Sequence, residues 1–98
     1  MQIVSTGKTV DPIKASKIGF SFLFMGDERK LVKMYYDKRS SKSYNVSLIT
    51  DKSNRIIDIE IYEIIQTGTQ GATVGRIQNA PLSVALEMQK DFQAINTT

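Results

Sequence analysis

The chain has 98 residues, 41% of them apolar and 23% charged, with a net charge of +3, which suits one globular domain and excludes wholesale disorder. It contains neither cysteine nor histidine, which excludes disulfides, thiolate chemistry and Ser–His or Cys–His catalysis, and removes the commonest transition-metal ligands. No apolar run reaches the roughly 20 residues of a membrane-spanning helix, so the expectation is a small cytoplasmic protein with no cofactor, no metal and no membrane contact.

Residues 1–17 form a weakly defined N-terminal segment. Gln2 to Ser5 could make a strand, and Pro12 interrupts any element around it. Gly7-Lys8-Thr9 ends like a phosphate-binding loop, but Gln2 stands where that motif needs its first glycine, so an ordinary turn is expected. Lys14 and Lys17 precede the apolar run Ile18 to Met25 as basic residues precede a signal-peptide core. Asp27-Glu28-Arg29-Lys30 then occupies the place of small cleavage-site residues, which argues against a signal.

Period-two patterning dominates from residue 18 to about 65 and predicts an antiparallel sheet over residues 18–78. In the first strand Ile18, Phe20, Phe22 and Phe24 share a face, and Gly26-Asp27-Glu28 supplies a turn. In Leu31 to Asp37, Val32, Met34 and Tyr36 share one face, while Leu31, Lys33 and Tyr35 share the other. Lys33 marks the second set as the expected solvent face. The connection Asp37-Lys38-Arg39-Ser40-Ser41-Lys42-Ser43 is polar and basic. Tyr44 to Thr50 follows with Tyr44, Val46 and Leu48 inward, and Asp51-Lys52-Ser53-Asn54 is a turn. In Ile56 to Ile65, Ile57, Ile59 and Ile61 oppose Asp58, Glu60 and Tyr62, with a bulge or strand end expected near Glu63-Ile64-Ile65. Gln66 to Thr73 reads as a flexible loop, and Val74 to Ile77 as a short last strand.

Residues 79–96 read as a C-terminal helix, capped by Asn79 and running from about Ala80 to Ala94. Val84, Ala85, Met88, Phe92 and Ile95 lie on one face, flanked by Leu82 and Leu86. That stripe is wider than one sheet face requires, so Val84, Met88 and Phe92 are expected to contribute to a homodimer interface. The fold class is therefore α+β, an antiparallel meander of four to six strands packed by one C-terminal helix.

Two constellations bear on chemistry. Asp58 and Glu60 lie about 7 Å apart on one strand face, a spacing compatible with a divalent metal, but period two already explains them as solvent-facing. The larger constellation is basic. Residues 1–55 carry a net +6 and residues 56–98 a net −3. Arg29, Lys30, Lys33, Lys38, Arg39 and Lys42 gather around one hairpin with Tyr35, Tyr36 and Tyr44. Cations suit phosphates and exposed rings suit bases. The sequence therefore predicts a non-enzymatic nucleic-acid-binding protein, with single strands favoured, Tyr35 stacking and the six cations contacting phosphate. The alternative is a protein-interaction module, an inhibitor, adaptor or assembly subunit, acting through a sheet edge or the helix.

Overall fold

The computed structural model describes residues 6–66 and 72–97. Two helices and five strands succeed one another in the order α1 (Pro12–Lys17), β1 (Ser21–Met25), β2 (Glu28–Asp37), β3 (Lys42–Thr50), β4 (Ile56–Gln66), β5 (Ala72–Ile77) and α2 (Leu82–Ile95). The strands form one antiparallel sheet in sequence order, β1-β2-β3-β4-β5. Short polar turns allow this meander because each strand hands over directly to its neighbour. Gly26 has φ +63° in the β1–β2 turn, and Ser41 and Asn54 take positive φ in the next two.

Helix α2 covers one face of the sheet. Val84, Ala85, Met88, Phe92 and Ile95 are its buried residues, the set that helical periodicity selects. Val84, Met88, Phe92 and Ile95 join one core cluster with Phe20, Leu31, Tyr35, Tyr44, Val46, Leu48 and Ile56. Because Val84, Met88 and Phe92 are consumed by this packing within one chain, they offer no surface to a second copy, contrary to the expectation from sequence. The exposed remainder of the stripe is Leu82 and Leu86. The helix also starts later than expected: Pro81 takes an extended ψ of 154° and is the N-cap, and its carbonyl accepts from the N–H of Ala85.

The inward face of β2 is the reverse of the one predicted. Leu31 and Tyr35 are buried, whereas Met34 and Tyr36 lie open to solvent. The cross-strand pairs Leu31↔Leu48 and Tyr35↔Tyr44 place these residues on the α2 side. A lysine in the middle of a strand face ordinarily marks that face as wet. The structure instead gives Lys33 a partner on α2.

In β4 the irregularity falls at the beginning of the strand. Thr50 pairs with Ile56 and Ile49 with Asp58, so the register shifts by one residue there. This bulge turns Ile56 into the core beside Ile59 and Ile61 and leaves Ile57 exposed. From Asp58 to Ile64 the pairing with β3 is uninterrupted, so no bulge interrupts that ladder at Glu63-Ile64. Of the expected 66–73 loop, residues 67–71 lie outside the described residues, while Gln66 and Ala72 to Thr73 belong to β4 and β5.

From residue 6 onward the N-terminal segment is more regular than its sequence suggests. Asp11 caps α1 by accepting from the N–H groups of Ile13 and Lys14, and Pro12 opens the helix rather than breaking it. Val10 and Ala15 enter the core. Residues 7–10 pair with residues 54–56 beside the start of β4, and Thr97 donates its N–H to the Thr9 carbonyl. The Gly7-Lys8-Thr9 segment is thus a turn leading into backbone pairing. Gln2 to Ser5 lie outside the described residues.

The bulge makes a testable distinction between adjacent isoleucines. Ile56→Ala is expected to cost about 2–5 kcal/mol in urea unfolding, and Ile57→Ala within about 0.5 kcal/mol. Comparable losses at the two positions would contradict the observed register.

Candidate interaction surface

Each cation of the basic hairpin has its own surroundings. Lys33 Nζ donates to Asp91 Oδ2 of α2 at 2.6 Å, and Tyr35 Oη donates to the same oxygen at 2.6 Å. The ammonium lies 5.7 Å from the Phe20 ring centroid and 5.2 Å from that of Tyr35. Gly19 adopts φ +106°, which favours glycine, and packs against this lysine, where a Cβ would make ordinary contact with Lys33 Cε at 3.4 Å. Lys33 therefore spends its charge inside the domain.

Tyr35 is 3% exposed and presents no ring face to a base, which corrects its expected outward position. Burial, and then the bond to Asp91, push its phenol above the ordinary range. Tyr44 is likewise buried, whereas Tyr36 is 53% exposed.

The other cations are dispersed. Lys30 lies on the face opposite α2 and pairs with Glu60 at 3.5 Å. Lys42 pairs with Glu63 at 3.0 Å, and the hydrogen bond to that carboxylate raises the lysine's pKa. Arg29 sits at the far end of β2, its guanidinium 5.7 Å from the Phe24 centroid and bonded to Asn54 at 3.5 Å. Lys38 and Arg39 are exposed at the hairpin tip. Eight residues of strand separate the two ends of the hairpin, about 26 Å, so the structure does not bring the six cations together.

Asp37 anchors the tip to the helix. Its carboxylate accepts from Ser40 Oγ at 2.7 Å and from Ser83 Oγ at 2.8 Å. These bonds, Ser40's first, hold its pKa below the usual carboxylate value. The negative charge also lies near the first turn of α2, where the helix dipole favours it.

The sheet face away from α2 combines the β2 set Val32, Met34 and Tyr36, which alternation assigns to the core, with β3 and β4 residues that it assigns to solvent. Cross-strand pairing places Leu23, Lys30, Val32, Met34, Tyr36, Asn45, Ser47, Asp58, Glu60 and Tyr62 on it. Met34 is 62% exposed and Leu23 49%. Tyr62 Oη donates to Glu60 Oε2, the carboxylate that also holds Lys30. Asp58 therefore does not stand as one of two unclaimed carboxylates: Glu60 is occupied by its neighbours. At the hairpin end a cleft of about 630 Å³ is lined by Met34, Ser43, Ile64, Ile65 and the Lys42–Glu63 pair. The apolar signal at Met34 and Tyr36 was legible, but its facing depended on the unforeseen role of Lys33.

No model of a known protein family, no curated protein and no solved structure matches the chain. Among the described residues no helix is long and apolar enough to cross a membrane.

The Asp91 cluster yields two expected outcomes. Asp91→Ala should cost about 1.5–3 kcal/mol, because it removes a charged hydrogen bond and strands Lys33. The raised phenol pKa of Tyr35 adds stability that is fully present below its unfolded value of about 10 and is lost as pH rises beyond it. Urea unfolding across that alkaline range should show a decline that Tyr35→Phe reduces. An unchanged decline would place the responsible titration elsewhere.

Proposed function

We propose that this protein is a non-enzymatic protein-interaction module whose docking surface is the sheet face opposite α2. The observation that carries the reading is the exposure of Met34 and Tyr36 on an uncovered sheet, beside a cleft large enough for a partner side chain. Scattered exposed apolar residues are ordinary, but neighbouring ones on a flat sheet favour a macromolecular contact. Val32 and Tyr62, half-buried on the same face, extend the apolar ground.

The charge on this face supports a protein partner over a polyphosphate. Lys30 is matched by Glu60, and Glu28 and Asp58 add further negative charge. Such a face would repel a phosphate backbone but suits a partner presenting apolar side chains with a basic margin. The exposed cations of the hairpin, Lys38, Arg39 and Lys42, lie at its tip rather than across the face.

The reading is tested by comparing two ligands and two variants. The wild-type protein is expected to retain a protein partner from nuclease-treated extract and to show no salt-sensitive binding to labelled oligonucleotides. Met34→Glu with Tyr36→Glu should abolish partner capture, while Lys38→Ala with Arg39→Ala should leave it intact. Oligonucleotide binding that weakens with salt and is lost in the Lys38/Arg39 variant would overturn the proposal in favour of nucleic acid.

A further inference from the structure

The sheet ends in two edge strands, β1 and β5, each with one neighbour among the described residues, and of these residues only those on the β5 side receive further backbone pairing. Beside the start of β4, residues 7–10 add their backbone to the sheet, and the C-terminal residues 96 and 97 pair with them in turn. At the opposite side β1 is an edge strand with β2 as its single neighbour among the described residues. Exposed edges are commonly protected by charge, proline, a bulge or a cover. Ser21-Phe22-Leu23-Phe24-Met25 has no charge and no proline, and its pairing with β2 runs without a register shift. Side chains on both its faces are apolar and open: Leu23 on one, and Phe24, 70% exposed, on the other.

We propose that β1 is a self-association edge that pairs antiparallel with β1 of a second copy of this chain. Three features select this occupant. A strand pairing antiparallel with its own copy about a twofold axis at Leu23 sets Phe22 against Phe24 of the second copy, twice. Phe22 and Phe24 already lie 4.8 Å apart between ring centroids within one chain, so the contact assembles four rings on the α2 side of the sheet.

The charges at the two ends of β1 are opposite. Exposed Lys14 and Lys17 precede it, and exposed Asp27 and Glu28 follow it. Antiparallel pairing brings the basic end of each copy to the acidic end of the other, whereas parallel pairing would set like charges together. Asp27 is accessible for this role, its side chain 91% exposed, with Lys52 as a solvent-exposed neighbour at 3.8 Å that the second copy's lysines would compete with.

Finally, strand pairing satisfies the row of backbone donors and acceptors that the edge leaves to water. The product is a continuous ten-stranded antiparallel sheet with both α2 helices on one side. Both open faces lie on the other, so self-association doubles the proposed docking surface without consuming Met34 or Tyr36. The proposal does not depend on that docking reading.

The absence of cysteine makes the geometry directly testable. Leu23→Cys places one thiol per chain at the twofold, where directly opposed strand residues lie within reach of a disulfide. Under mild oxidation this variant should become a covalent dimer, while Met34→Cys and Leu86→Cys should remain largely unlinked. In sedimentation, wild type should dimerise reversibly, and Phe24→Lys should weaken the dimer at least tenfold. Lys17→Glu and Asp27→Lys should each weaken self-association, yet the two mixed should form a heterodimer, since both end contacts are then complementary.

A wild-type chain that stays monomeric up to about 1 mM would overturn the proposal. So would a dimer that links through Met34→Cys or Leu86→Cys in preference to Leu23→Cys. The cross-linking readout stands even if Phe24→Lys fails to fold. Loss of extract partners in the Met34/Tyr36 variant with dimerisation intact would separate the two surfaces.

Discussion

The carboxylate of Asp91, shared by Lys33 and Tyr35, is the interaction on which the arrangement of the domain depends. Apolar packing of Met88, Phe92 and Ile95 against the sheet supplies most of the driving force for helix docking. That force alone does not choose which face of β2 the helix covers, since both faces carry large apolar side chains. Lys33 sits in the centre of one of them. It is compatible with a covered position because Asp91 meets its charge and the rings of Phe20 and Tyr35 flank its ammonium. Once that pair forms, Leu31, Lys33 and Tyr35 turn toward α2, and Val32, Met34 and Tyr36 turn outward.

The choice of face governs where function can reside. A reversed β2 would expose Tyr35 and Lys33 as a basic, aromatic platform. The observed phase instead spends them internally and leaves an open sheet face of apolar and acidic character. The charge asymmetry along the chain does not survive folding as a single patch. Lys30 meets Glu60, Lys42 meets Glu63 and Lys33 meets Asp91, so basic residues of the first half are matched by acidic residues of the second. Individually such pairs contribute little to stability when exposed. Their consequence here is that the positive potential read from the sequence is divided among separate contacts.

Much of the fold was legible because period and turn chemistry agree. The alternation in β3 places Tyr44, Val46 and Leu48 correctly, and the α2 stripe names Val84, Ala85, Met88, Phe92 and Ile95. Three features were hidden for physical reasons. The facing of β2 rests on a contact between residues 58 positions apart, which local pattern cannot carry. The bulge at Ile56 alters the phase among consecutive isoleucines, where every register looks equally apolar. The short helix α1 spans six residues, too few for a periodic signal. Its Asp11-Pro12 start was nonetheless a readable cap followed by a first-turn proline. The candidate surface followed the same logic: its residues were visible as apolar, but their exposure was not.

The most direct measurement of this account is hydroxyl-radical footprinting of the folded protein, read residue by residue by mass spectrometry. The two faces of β2 carry adjacent tyrosines of identical chemistry, so their relative labelling reports facing alone. The account predicts rapid modification of Tyr36 and Met34 and protection of Tyr35, with Asp91→Ala increasing the labelling of Tyr35. Equal labelling of Tyr35 and Tyr36, or protection of Tyr36 with Tyr35 exposed, would contradict it.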